Sequence, residues 1–218
     1  MSETPALFKP AGIVPIRSLG AGQRERILKH LLALDAQDRY LRFGYAATDE
    51  HVQRYVEQLD FERDEVFGIF NRRLELIAMA HLAFIPEPGA TPGAEFGVSV
   101  LKKARGRGYG ARLFDRAVMH ARNEGVELMF IHALSENVAM IKIARNAGAT
   151  LERAGSETEA YLRLPPATLE GRVSEFLEEQ IAQTDYRLKK QARNFLDLLA
   201  TVQEIRSGAS STRGKSGR

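Results

Sequence analysis

Cysteine and tryptophan are absent from the 218 residues, and no apolar run approaches the length of a membrane span. Without cysteine there are no disulfides, cysteine nucleophiles or thiolate metal sites, and an intracellular compartment is expected. Without tryptophan, and with no aromatic residue interleaved among the basic residues of the C-terminal tail, the stacking half of a single-strand-binding surface is missing. The opening Met1-Ser-Glu-Thr-Pro-Ala lacks the charged segment and apolar stretch of a signal peptide, so no membrane partner and a cytoplasmic location are expected. Charge of one sign is also scarce: the net +3 is accounted for by Arg206, Arg213, Lys215 and Arg218, which read as a solvated tail rather than a nucleic-acid footprint. The histidines at 30, 51, 81, 120 and 132 show no ligand spacing, and no metal is expected.

What the chain does have is concentrated between residues 94 and 111. Phe96, Val98 and Val100 alternate as in a strand, and the run leads into Lys102-Lys103-Ala-Arg105-Gly106-Arg107-Gly108-Tyr109-Gly110. Glycine lets backbone turn tightly and approach a ligand with no Cβ in the way. A helix opening near Gly108 aims unpaired N–H groups and the positive end of its dipole into the loop, where the lysines and arginines add full charges. A polyanion such as a pyrophosphate is the expected guest. Gly106, Gly108 and Ala111 also spell G-x-G-x-x-A, the dinucleotide fingerprint, but that motif follows its strand directly and opens its domain. Here four residues separate strand from glycine, and a long α/β segment precedes them. A bland glycine turn with a solvated basic face is the third reading.

The rest of the chain supplies the frame. Residues 13–17 read as a strand, Gln23 to Leu34 as a helix with Ile27, Leu28, Leu31 and Leu34 on one face, and Thr48 as the cap of a helix carrying Val52, Val56 and Leu59. Residues 64–71 and 74–84 pair as strands across a polar turn, and 86–93 form a Pro/Gly loop. After the glycine-loop helix come a strand at 128–133, a helix from Asn137 and two strands between Thr150 and Leu164. The order β-α-α-β-β-β-α-β-α-β-β predicts an α/β fold, a central mixed sheet flanked by helices. Pro165-Pro166 closes it, giving a domain at 10–164. Beyond it, apolar residues recur at helical spacing from Leu169 to Val202, so 167–206 is expected to be a helical extension, roughly 60 Å long if straight. Packing on its own domain, a homo-oligomer contact and a substrate lid all stay open for it. The composition of 207–218 predicts a disordered basic tail.

Arg105, Gly108 and Gly110 resemble the [RQ]-x-x-G-x-[GA] loop of the GNAT acetyltransferases. Asn137-Val-Ala-Met-Ile-Lys-Ile-Ala-Arg-Asn-Ala-Gly148 is similar to that family's asparagine helix. Glu95, ten residues before Arg105, and Asp38-Arg39-Tyr40-Leu41-Arg42-Phe43 resemble elements of its bacterial protein-acetylating members, where the second lies between the first two helices. The resemblance implies the GNAT fold, acetyl-CoA as co-substrate, an amine acceptor that is a protein lysine or a small amine, and direct transfer in a ternary complex. It assigns Val98, Ser99 and Val100 to the pantetheine arm, Arg105, Gly106, Arg107, Gly108, Tyr109 and Gly110 to the pyrophosphate, and Asn137 to the cofactor from the next helix. An N-cap role for Asn137 stands beside that assignment. Glu95 becomes the catalytic base, with His132 in reserve. An amine of pKa near 10.4 is neutral in only about one molecule in 2,500 at pH 7, a handicap of roughly 4.6 kcal/mol that a base relieves. Partial burial of Glu95 among apolar neighbours would suit it to that task. One departure is Ala144, seven residues after Asn137, where many members place a tyrosine that protonates the leaving thiolate. It keeps alive the alternative of a catalytically silent acetyl-CoA-binding module.

Overall fold

The computed structural model describes residues 14–85, 92–155, 157–167 and 175. Seven strands form one mixed sheet: β1 Arg17–Ser18, β2 Glu65–Phe70, β3 Leu76–Ile85, β4 Gly93–Val100, β5 Leu128–Leu134, β6 Thr150–Ala154 and β7 Glu157–Arg163. Their order across the sheet is β1-β2-β3-β4-β5-β7-β6, and only β4 and β5 run parallel. The helices are α1 Arg24–Leu32, α2 Ala36–Phe43, α3 Asp49–Glu57, α4 Tyr109–Asn123 and α5 Val138–Asn146.

Strand alternation sorts the core into two layers. Ala94, Phe96, Val98 and Val100 of β4 join Met129 and Ile131 of β5 beneath α4 and α5, where Leu113, Phe114 and Ala117 are fully buried. On the opposite face, Val66 of β2 and Met79 of β3 pack against Ile27, Leu31, Val52 and Val56 of α1 and α3. The odd-numbered residues of β4, among them Glu95 and Ser99, are absent from the first layer and belong to this second face.

Two local expectations change. The opening strand spans two residues rather than 13–17. The Asp38–Phe43 element is no connector between helices but most of a helix of its own, α2. Asp35 caps its start by accepting from the Asp38 N–H at 2.8 Å, and Gly44, with φ +80°, ends it. Thr48 caps α3 as expected, within a capping box shared with His51.

The expected extension at 167–206 and tail at 207–218 lie outside the described residues except for Ala167 and Glu175. Glu175 docks on α4, accepting from Arg116 Nη1 at 2.6 Å, from His120 Nδ1 at 2.5 Å and from Asn123. Burial opposes its charge, but hydrogen bonds from His120 and Asn123, with Arg116 adding to them, hold the carboxyl down at about 2. Among the described residues no helix is long and apolar enough to cross a membrane, and no cluster of side chains could hold a metal ion.

Candidate active site

The strand pair that carries the glycine loop comes apart. β4 and β5 pair only at Gly93–Leu128, Ala94–Met129 and Glu95–Phe130, while β4 continues against β3 as far as Val100 and β5 against β7 as far as Leu134. Among the described residues, then, β4 has no strand on its β5 side from Phe96 to Val100. Leu41 in α2 bridges one face of the opening, its carbonyl accepting from Asn137 Nδ2 at the start of α5 at 3.3 Å. Asn137 Oδ1 meanwhile accepts from the Met140 N–H at 3.1 Å. The capping role is therefore observed, and a tether to α2 accompanies it.

At its far end the split meets the loop. Gly106 and Gly108 adopt φ +75° and +74°, a left-handed backbone that favours glycine, and a Cβ at either would point into open space. Gly108 is the N-cap of the fifteen-residue α4 and brings no capping side chain, so the loop and the helix end present backbone outward. Gly110 faces inward, where a Cβ would lie 3.2 Å from Ile143 Cδ1, and Tyr109 packs partly buried against the core.

The cations around the loop are partly spoken for. Arg105 folds back, its Nε donating to the Val100 carbonyl at 3.1 Å and its Nη2 pairing with Asp38 Oδ1 at 2.5 Å. Lys102 pairs with Asp35 at the cap of α2, and Lys103 with Glu75 at 2.9 Å. Arg107 is exposed. α2 and the loop are thus stitched together before any ligand arrives.

Ser99 turns its hydroxyl to the second face of the sheet, away from Val98 and Val100. That group lies 2.8 Å from Nε2 of His30, whose Nδ1 meets the Leu76 carbonyl at 2.9 Å. Both residues are buried, and burial is the main reason the His30 pKa falls to about 4, with the Arg42 charge adding to it. The imidazole is therefore neutral, donating from Nδ1 and accepting the Ser99 hydroxyl proton on Nε2. Val98 and Val100 pack partly buried on the other face.

Glu95 stands at the last paired position before the split, and it is exposed rather than partly buried. Around its face lies a set of residues that sequence reasoning missed. Arg42 Nη2 donates to Tyr55 Oη at 3.0 Å, Tyr55 Oη lies 2.8 Å from His81 Nδ1, and His81 Nε2 lies 3.2 Å from Asp64 Oδ2. Burial and the Arg42 charge lower the His81 pKa, and burial raises that of Tyr55. A neutral His81 then fixes the direction of the chain: Arg42 to Tyr55 to His81 to Asp64, each donating to the next. Phe43 and Tyr45 extend the aromatic wall outward, with ring centroids 5.3 Å from Phe43 to Tyr55 and 6.2 Å from Phe43 to Tyr45. Only the register, which sets His81 opposite Gly97 and Ala83 opposite Glu95, shows its neighbourhood. His132 is also exposed, 3.9 Å from Glu159, on β5 beyond its last pairing with β4. Ala144 is buried among the side chains under α4 and α5.

A mixed sheet whose parallel pair opens above a glycine loop at a helix N-terminus is the architecture of the GNAT acyltransferases. The chain belongs to that acetyltransferase (GNAT) family, whose model matches residues 31–149. No curated protein matches it in sequence. Among solved structures, the GNAT domain of PAT from S. lividans superposes with a TM-score of 0.59 at 21% identity, covering 70% of this chain and 95% of that one. An N-acetyltransferase from Staphylococcus aureus Mu50 gives 0.53 at 17%, covering 69% and 98%. A cAMP-binding acyltransferase from Mycobacterium smegmatis gives 0.50 at 23%, covering 77% of this chain and 50% of that one. At these identities the likeness is one of fold.

Proposed function

We propose that this acyltransferase takes its acetyl group from acetyl-CoA and gives it to an amine in a direct ternary-complex reaction, with Glu95 as the base. The carrying observation is that β4–β5 pairing stops at Glu95, leaving a strand edge from Phe96 to Val100 that runs into an uncapped, glycine-built helix start. When bound, acetyl-CoA supplies an acetyl thioester. Backbone from Gly106 to Gly110 holds the pyrophosphate, with Arg105 and Arg107 adding charge, and the Val98–Val100 edge receives the pantetheine arm as an added strand would be received. A backbone N–H near Val98 stabilises charge developing on the acetyl oxygen. Glu95 accepts the proton of the attacking amine, directly or through one water; the new bond is nitrogen to carbon, the broken one carbon to sulfur.

No hydroxyl is available at Ala144, so the departing thiolate takes its proton from water. That same residue supports a second reading, in which the chain binds acetyl-CoA without turnover and signals its occupancy to a partner. The cytoplasm is the proposed place of action. CoA release, followed with a panel of amines from lysine peptides to small amines, separates the two functions. Release that depends on an added amine supports the transferase, and binding without release under every condition supports the silent module.

A further inference from the structure

Arg42 is built into the site in a way that neither the fold nor the base requires. A Cβ on Gly97 would lie 2.6 to 2.7 Å from Cζ, Nη1 and Nη2 of Arg42, so the guanidinium rests on the bare backbone of β4 and only glycine admits it there. Gly97 and Glu95 are two positions apart on one face of the strand, about 6.6 Å along it. The guanidinium lies beside the rings of Phe43 and Tyr55, with centroids 5.3 and 5.6 Å from Cζ. The Tyr55–His81–Asp64 chain turns the tyrosine oxygen toward it as an acceptor.

Only Nη2 is used in this way. Among the described residues Nη1 and Nε of Arg42 have no acceptor, and no carboxylate lies within ion-pair distance of it. The guanidiniums of Arg39, Arg63, Arg105 and Arg116 contrast with it, each pairing with an Asp or Glu. A partly buried cation without a counterion is costly unless a bound anion completes it. Its field is felt nearby, since it helps to lower the pKa values of His30 and His81.

We infer that Arg42 is the anion-recognising residue of the acceptor site, and that the acceptor is an amine carrying a carboxylate close to its nucleophilic nitrogen. This rests on Glu95 marking where the amine sits. A free amino acid and a lysine flanked by an acidic residue both present that chemistry. In either case the planar fork of Arg42 takes the carboxylate while the amine lies toward Glu95.

The test uses the full-length protein, acetyl-CoA and matched acceptors: L-methionine against L-methioninamide, and N-acetylated, C-amidated Gly-Asp-Lys against Gly-Asn-Lys. The acid-over-amide ratio of kcat/KM is compared between the native protein and Arg42→Gln, which cancels differences in amine basicity. The ratio is expected to fall about tenfold or more in the variant, mostly through KM, with Arg42→Lys in between. Loss in the methionine pair alone identifies a free amino acid, and loss in the peptide pair alone an acidic flank. An unchanged ratio with a lower kcat for all four acceptors would overturn the inference and assign Arg42 to the thioester or to Tyr55. If acetyl-CoA binds but none of the four is acetylated, the transferase reading has failed, and titration of L-methionine and the Asp peptide into CoA-saturated protein then decides. Binding of either that is lost in Arg42→Gln upholds the anion site, and no binding overturns it. Should Arg42→Gln not fold, Gly97→Ala, whose Cβ displaces the guanidinium, replaces it in the same comparison.

Discussion

The two ends of β4 solve different problems with different materials. Toward Val100 the strand leads into backbone: left-handed glycines, an uncapped helix start and cations within a few residues of one another. Toward Glu95 it lies among side chains brought from α2, α3, β3 and the turn before β2. On the proposed reading, the first end takes a ligand whose phosphates are always the same, which main-chain N–H groups recognise well. The second is made of exchangeable side chains, whose charges are proposed to decide which amine is accepted. Binding of the donor and choice of the acceptor would thereby be separated along one strand.

The sharpest cut through that comparison is Glu95→Gln, which keeps the shape of the acceptor end but cannot accept a proton. Turnover should fall about 10²- to 10⁴-fold while acetyl-CoA affinity stays as it was. Equal turnover where chemistry limits the rate would move the role to His132 or to solvent. Gly108→Val attacks the other end. Its φ of +74° strains any side chain by about 1 to 3 kcal/mol, and misplaced N–H groups lose charge-assisted hydrogen bonds of similar size. Acetyl-CoA affinity should drop by about 10²-fold or more in a protein that still folds, since a Cβ there meets nothing within 4 Å. Normal binding would place the phosphates elsewhere.

Two smaller effects test what lies beneath each end. His30 supports Ser99 near the cofactor end, and burial holds its pKa at about 4, below the 6.5 of a free imidazole. The unfolded chain therefore takes up the proton first. Stability is complete above pH 6.5 and declines as the pH falls from 6.5 to 4, by about 3 kcal/mol. Denaturant titrations across that range check it, and His30→Gln should flatten the dependence. Tyr55→Phe removes the link between Arg42 and His81 at the acceptor end. It should cost about 1 to 2 kcal/mol of stability by leaving buried groups without partners, and it should leave acetyl-CoA affinity unaltered.

The same contrast explains what could be read from the chain. Strand alternation, the Thr48 cap and the glycine loop are local patterns, and the sheet and the glycine-built start of α4 followed from them. The acceptor end is nonlocal. Arg42 meets Gly97, and Tyr55 meets His81, only through the β3–β4 register and the packing of α2 and α3, neither of which leaves a spacing in the sequence. Helix α2 was missed although its signals are present, Asp35 at the start and Gly44 at the end. Its eight residues make little more than two turns and half of them are charged or amide side chains, most of which join other parts. Asp38 holds Arg105, Arg39 donates to the Leu32 and Leu34 carbonyls at the end of α1, Leu41 accepts from Asn137, and Arg42 reaches Tyr55.

Thermal unfolding of the full-length protein with and without acetyl-CoA, run beside Gly108→Val, tests the central claim most directly. At a ligand concentration about 100 times the dissociation constant, the native protein should gain about 2.7 kcal/mol, and the variant should gain little at the same concentration. No stabilisation of the well-folded native protein by millimolar acetyl-CoA would contradict the account, as would an equal shift in the variant.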